Sequence, residues 1–141
     1  MKSKRNQIII HGLLLILIVL SGYLSYVDSL GSGETVCLTG SDGCDQVQNS
    51  KYGSFLGVKV FYWGLAGFTT LLILFIISNS KNKYRQNAKE LFILFSLIGA
   101  IVAAFFLYTQ FFILKSVCST CLAVDTLTII VFILGYKNFR K

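Results

Sequence analysis

Four long apolar runs alternate with short polar segments along the 141-residue chain. They cover about Ile8–Val27, Phe55–Ile77, Leu91–Leu114 and Val117–Tyr136. Each run is long enough to cross a bilayer as a helix, which takes about 20 residues. The chain has no proline and no alternating strand pattern, and lipid tolerates only helices and closed barrels as spanning structures. The pattern therefore predicts an all-α integral membrane protein in which residues 1–141 form one bundle of four transmembrane helices.

Composition and charge placement support this interpretation. The chain is 55% hydrophobic and only 13% charged, which is unlike an ordinary soluble domain. Most of the basic residues behind the net charge of +7 fall into three clusters. These clusters are Lys2, Lys4 and Arg5; Lys81, Lys83, Arg85 and Lys89; and Lys137, Arg140 and Lys141. Four spans put all three clusters on one side, and the positive-inside rule makes that side the cytoplasm. We expect a plasma (inner) membrane protein with both termini cytoplasmic and no nucleic-acid partner.

The polar segment 28–54 is the only sizeable connection on the opposite, extracytoplasmic side. Its glycine- and serine-rich stretches are typical of turns and flexible linkers. A cleaved signal peptide is the alternative for the run before it. However, that run is longer than the usual core of about 7–15 residues, and we expect it to remain as a span.

The cysteines carry the candidate chemistry, and this topology places all four at the extracytoplasmic face. Cys37 and Cys44 lie in the 28–54 loop, whereas Cys118 and Cys121 stand at the start of the fourth run. Two cysteines separated by two residues at a helix N-terminus form a redox device, because the helix dipole and free N–H groups stabilise a thiolate. Ser116 is a plausible N-cap for that helix. The pattern favours a redox relay of two dithiols and predicts no metal site. Structural disulfides, buried thiols or zinc remain alternatives.

A dithiol relay in a membrane needs an electron acceptor, and a quinone of the ubiquinone or menaquinone type is the lipid-soluble choice. Aromatic residues are abundant in the extracytoplasmic halves of the spans, where the cysteines lie. A flat apolar pocket beside the cysteines is therefore expected. The candidate quinone contacts are Trp63, Phe105, Tyr108 and Phe112. Asp125 lies one helical turn beyond Cys121 inside an apolar run, where an acid is costly and usually has a role. It would supply protons to quinone chemistry or form a structural hydrogen bond.

These residues resemble those of bacterial homologues of vitamin K epoxide reductase. The resemblance rests on the loop pair Cys37 and Cys44, on segments 44–52 and 55–58, and on the Cys-Ser-Thr-Cys motif at 118–121. The first segment has a serine six positions after its cysteine and an aromatic residue two positions further on. Together these motifs cover most of the chain from residue 37 to about residue 124.

The resemblance implies a four-helix membrane oxidoreductase that makes disulfides by reducing a quinone. It implies that Cys118 and Cys121 face the quinone and that Cys121 reacts with it. It also implies that Cys44 exchanges with Cys118, that Cys37 faces the partner protein, and that Ser50 lies near the active site. Ser50 and Asp125 are therefore further candidate quinone contacts. A quinone or quinone-epoxide reductase using the same relay is the alternative enzyme. A non-catalytic membrane protein with structural disulfides or a metal site is the alternative of another class.

Three differences from the family pattern concern the second span, the quinone pocket and the partner. Lys59 stands where the family often has proline. Asp125 occupies the position of a tyrosine that hydrogen-bonds the quinone in the vertebrate branch. Many bacterial members also carry a fused thioredoxin-like domain, whereas this sequence ends at Lys141. We therefore expect the partner to be a separate extracytoplasmic thioredoxin-like disulfide carrier.

Overall fold

A computed structural model describes residues 2–31, 43–81 and 83–140. Within them, four helices are long and apolar enough to cross a membrane, as the hydrophobic pattern predicts. They are α1 (Lys2–Ser29), α3 (Val60–Asn79), α4 (Arg85–Tyr108) and α5 (Ser119–Arg140). A short helix, α2 (Gly43–Gln48), precedes α3, and a π-helical segment, Thr109–Leu114, extends α4. The predicted all-helical membrane fold is confirmed.

The four long helices form a ring. Helix α1 packs against α3 and α5, and α4 packs against the same two helices. At one end of the ring, the Gln7 amide donates a hydrogen bond to Asn79 Oδ1 at 2.8 Å. At the same end, the Lys89 ammonium lies 5.9 Å from the Phe139 ring centroid. We call this the basic end, because all the described basic clusters lie there. The opposite end, which holds α2 and Cys118, is the cysteine end.

The packed core lies toward the basic end. Ile10, Leu14 and Leu17 recur at helical spacing on α1 and are fully buried. They belong to the same core as Phe75 and Phe92, whose ring centroids are 5.6 Å apart. Many other apolar side chains point outward and are exposed, which suits a bundle whose outer surface meets lipid. This packing leaves the cysteine end free to enclose a cavity.

A small hairpin at the cysteine end was not predicted. Strands β1 (Ser54–Phe55) and β2 (Val58–Lys59) pair antiparallel. The two turn residues, Leu56 and Gly57, have φ of 55° and 80°. Positive φ at both central residues is the geometry of the tight turns that match strand twist. The second span was predicted to begin near the start of this hairpin, but α3 begins at Val60 because the hairpin occupies the preceding residues.

Contacts with α1 and α3 hold the hairpin over the ring. Lys59 forms a salt bridge with Asp28 near the end of α1. The Tyr62 hydroxyl of α3 also lies 3.5 Å from Asp28 Oδ2. The Trp63 indole N–H donates to the carbonyl of Phe55 at 3.3 Å. Lys59 therefore links the hairpin to the first span.

Candidate functional site

The thiol of Cys118 caps helix α5. Cys118 directly precedes the helix, and its Sγ accepts the backbone N–H of Cys121 at 3.2 Å. Its carbonyl accepts the N–H of Leu122 at 2.8 Å, the first bond of the helical ladder. This is the pattern of an N-cap residue. The prediction that Ser116 caps the helix is wrong, because its hydroxyl instead donates to Gln46 Oε1 on α2.

Contacts with the Cys121 thiol and with nearby backbone N–H groups lower the pKa of Cys118. The Cys121 thiol lowers the pKa of Cys118 most, and the backbone N–H groups of Cys121 and Thr120 add to this effect. Burial of the Cys118 side chain, which is 0% exposed, raises its pKa but does not outweigh these contacts. A thiolate is the nucleophilic form of cysteine, so the fold favours the reactive form at this position.

Helix α2 packs directly against the chain that leads into Cys118. A Cβ atom at Gly43 would lie 2.5 Å from the carbonyl oxygen of Val117, so only glycine allows this approach. Val47, one turn further along α2, packs in one cluster with Cys118 and Cys121. The segment that begins α2 therefore sits beside the thiol pair.

Cys44 is the second residue of α2 and follows Gly43 directly. The side chain of Cys44 and the whole of Cys37 lie outside the described part of the chain. The predicted pairing of the loop cysteines and their exchange with Cys118 stay predictions.

A cavity of about 770 Å³ opens beside Cys121. This volume lies within the range of about 300–1,000 Å³ typical of small-molecule sites. All four long helices, α2 and the hairpin contribute to its walls, which are mostly apolar. Three predicted contacts, Trp63, Phe105 and Asp125, line it together with Cys121. The cavity can hold a flat apolar ring within reach of a thiol and a carboxyl group.

Gln110 connects Asp125 to the thiol pair, and sequence analysis missed it. Its side chain is 1% exposed. Gln110 Nε2 donates to Asp125 Oδ2 at 3.3 Å, and Gln110 Oε1 accepts the backbone N–H of Cys118 at 3.2 Å. The residue lies in the π-helical segment, and such segments often occur at functional sites. The amide in an otherwise apolar run was the available signal.

A sequence model of the vitamin K epoxide reductase family matches residues 8–136. The chain belongs to this family. It is therefore a membrane thiol oxidoreductase, and quinones are the substrates that family members use in general. The resemblance drawn from the cysteine motifs is confirmed over nearly the whole chain.

Three predicted quinone contacts of this family member do not line the cavity. The rings of Tyr108 and Phe112 stack on each other at 4.9 Å. They are 56% and 68% exposed. Ser50 Oγ donates to the carbonyl of Val47 at 2.7 Å and closes the turn after α2. In this structure the first two residues stack at the surface and the third closes a turn. Their role as quinone contacts stays a prediction.

Gln48 is a second cavity residue that sequence analysis did not single out. It ends α2, is 7% exposed and lines the cavity with Cys121. Its amide is close enough to lower the pKa of Cys118 slightly. Even so, neither its Nε2 nor its Oε1 makes a conventional hydrogen bond within the described part of the chain.

Proposed function

We propose that this membrane protein oxidises a separate extracytoplasmic thioredoxin-like carrier and passes the electrons to a membrane quinone. The carrier's two thiols become a disulfide, while the quinone takes up two electrons and two protons to become a quinol. The electrons pass first to a Cys37–Cys44 disulfide and then to a Cys118–Cys121 disulfide. The enzyme thereby restores the oxidised carrier that makes disulfide bonds in other proteins.

The observation that carries this proposal is the position of the thiol pair between α2 and the cavity. The α2 backbone that carries Cys44 packs beside Cys118, as the close approach of Gly43 to Val117 requires. On the other side, Cys121 lines the cavity. A pair with one member beside the redox loop and the other beside an apolar cavity suits electron transfer between a protein dithiol and a lipid-soluble acceptor.

Each thiol then has a distinct role. In the forward direction the Cys44 thiolate attacks Cys118 Sγ and releases Cys121 as a thiolate. Cys37 then attacks Cys44 Sγ, which re-forms the loop disulfide and releases Cys118, whose lowered pKa makes it a good leaving group. Cys121 reduces the quinone, and the Cys118–Cys121 disulfide forms as its electron pair leaves. Asp125 supplies a proton to the reduced ring oxygen. Gln110 acts as a positioning residue, since it holds the Asp125 carboxyl group and the Cys118 backbone in one hydrogen-bonded chain.

The test is to mix purified protein with a reduced thioredoxin-like protein and duroquinone, and to follow quinone absorbance and the carrier's thiols together. We expect one disulfide formed for each quinone reduced. Cys121→Ala should abolish quinone reduction, whereas Gly67→Ala, at an open position in α3, should leave it unchanged. Quinone loss without carrier oxidation would instead support a quinone reductase that draws electrons from another source.

The proposal also places the cysteine end outside the cell and both termini in the cytoplasm. A membrane-impermeant thiol reagent applied to reduced intact cells should then label Cys37 and Cys44. Labelling that needs permeabilised cells would reverse this orientation.

A further inference from the structure

A groove of about 740 Å³ lies between α1 and α3 at the basic end of the ring, away from the thiol pair. Lys4, Ile8 and Gly12 line it at intervals of four residues, so they follow one face of α1. Over these residues the helix rises about 12 Å, from the polar end of the span into its apolar part. Ile8 and Ile76 in the groove wall are 72% and 52% exposed, so the groove opens on the outer surface of the bundle.

The deeper half of the groove is apolar and has room beside the protein backbone. Ile8, Gly12 and Phe75 contribute to its walls. A Cβ atom at Gly12 would meet no atom within 4 Å. The hydrogen bond from Gln7 Nε2 to Asn79 Oδ1, 2.8 Å long, joins α1 to α3 in the groove wall and fixes the spacing of the two helices there. The groove is therefore preformed and suits a hydrocarbon chain.

Hydrogen-bond donors line the polar end of the groove and the middle of its length. The Lys4 ammonium and the Ser80 hydroxyl lie at the polar end, where α3 stops. His11, the single histidine of the chain, lies further along α1, with its ring centroid 6.4 Å from that of Phe75. A histidine inside a span is rare and usually has a partner or a role. The order of side chains along the groove thus matches a molecule with a polar head and an apolar tail.

The surroundings of the groove are strongly positive. The sequence segments 1–12, 76–92 and 132–141 hold ten of the thirteen basic residues and only one acidic residue, Glu90. Glu90 belongs to α4, whereas the groove lies between α1 and α3. Among the described residues, no acidic side chain lines the groove and competes with a bound anion for Lys4. The charge therefore favours a negatively charged head.

We propose that this groove binds an anionic glycerophospholipid. The phosphate accepts hydrogen bonds from the Lys4 ammonium and the Ser80 hydroxyl. One acyl chain lies over Gly12 and Ile76, and His11 donates to an ester carbonyl between the head and the chain. Basic pockets between transmembrane helices at the cytoplasmic surface commonly bind such lipids. The proposal does not depend on the proposed function, because the groove shares no lining residue with the cavity at the cysteine end.

Charge determines which phospholipid the groove prefers among those with the same acyl chains. The apolar half binds the chains of any phospholipid, since burial of apolar area does not depend on the headgroup. Phosphatidylcholine carries its own cation beside the phosphate, whereas phosphatidylglycerol has a net negative charge. One lysine near an anionic lipid headgroup changes its affinity by roughly 5-fold. Lys4 should therefore contribute a preference of that size for phosphatidylglycerol.

The experiment titrates delipidated protein in detergent with dioleoyl phosphatidylglycerol or dioleoyl phosphatidylcholine, and native mass spectrometry counts the bound lipids. We expect the first phosphatidylglycerol to bind at least roughly 5-fold more tightly than the first phosphatidylcholine. Lys4→Gln should remove most of this difference by weakening phosphatidylglycerol alone. The matched control is Lys137→Gln, which removes a positive charge at the same end but outside the groove. It should leave both affinities unchanged.

A second pair of variants tests the apolar half. Gly12→Leu places a side chain in the space that the acyl chain would take and should weaken both lipids. Gly67→Leu is its control, because Gly67 also has open space around it but lies outside the groove. Circular dichroism checks that each variant is folded. If Gly12→Leu does not fold, Lys4→Gln at its exposed position still decides the matter.

Three results would overturn the proposal. Equal affinities of the wild-type protein for the two lipids would show that the groove does not recognise the headgroup. Equal losses in Lys4→Gln and Lys137→Gln would show a general effect of charge at the basic end. Displacement of phosphatidylglycerol by an equal concentration of glycerol 3-phosphate would show a site for a free phosphate compound instead of a lipid.

Discussion

One added methyl group at Gly43 should separate the loop helix α2 from the thiol pair. In Gly43→Ala the new Cβ would lie 2.5 Å from Val117 O and 3.2 Å from Val117 C. An ordinary contact needs about 1 Å more than the first of these distances. Both obstructing atoms belong to the backbone, which cannot rotate away as a side chain does. The helix must therefore move outward, and it carries Cys44 with it.

The expected magnitude follows from the cost of overpacking, which is about 1–3 kcal/mol for an inserted methyl group. Converted to a population, this lowers the docked fraction by roughly 5- to 150-fold. Alanine also favours helix over glycine by at most about 1 kcal/mol. That effect acts in the opposite direction, so a net loss of docking can only come from the clash.

The assay uses a Cys37→Ala/Cys121→Ala background, which leaves only Cys44 and Cys118 to form a disulfide. After timed mild oxidation, trypsin cuts the basic connection between α3 and α4, near Lys83. A Cys44–Cys118 disulfide keeps the two halves together on a non-reducing gel. We expect Gly43→Ala to slow the appearance of this linked species.

Gly67→Ala is the control, because a Cβ at Gly67 meets no atom within 4 Å. It should leave the rate of disulfide formation unchanged. The reasoning is refuted if Gly43→Ala crosslinks at the rate of the background protein, or if the control slows crosslinking equally.

Two further predictions concern the acid and the thiol of the site. Asp125→Asn should keep the fold but slow quinone reduction by about 100-fold, because it removes a proton donor; full turnover across the pH range would leave Asp125 with only a structural role. In the reduced protein, the pKa of Cys118 is lowered. Its thiolate absorbance near 240 nm should therefore appear at a pH below about 8.5, the ordinary pKa of cysteine. The pKa of Cys118 is lower in the folded state than in the unfolded state, so ionisation of this thiol stabilises the fold. This contribution to the free energy of unfolding is complete above the unfolded-state pKa and is lost as pH falls through the folded-state pKa. Cys118→Ser should remove this early absorbance step; its persistence would assign the step to another thiol.

The sequence predicts the long-range features of this fold well. Runs of about 20 apolar residues have few alternative structures in a membrane, so the four spans follow from length and composition. The hairpin before Val60 escapes this reasoning. Its two strands have two residues each, too few for an alternating pattern to appear. Its apolar residues also join the apolar run that continues into α3, so hydrophobicity does not separate the hairpin from the helix.

Site residues were predictable where their chemistry is unusual for an apolar run. They were less predictable where helix geometry determines which side chains line the cavity. Asp125 stands out because an acid in an apolar run is costly, and it lines the cavity. Aromatic residues carry no such mark. Phe105 and Tyr108 lie on the same helix, yet only Phe105 lines the cavity. The inward position of Gln110 depends on a π-helical segment, which shifts the helical register in a way that residue spacing does not reveal.

The N-cap of α5 is made by a sulfur atom that also takes part in the redox chemistry, since Cys118 Sγ accepts the N–H of Cys121. A sulfur that enters a disulfide loses its negative charge and becomes a weaker acceptor for the Cys121 N–H. Loss of an N-cap interaction costs about 0.5–2 kcal/mol. Each oxidation of Cys118 therefore loosens the first turn of a membrane-spanning helix, and each reduction tightens it again. The stability of the first turn of α5 therefore depends on whether Cys118 is oxidised or reduced.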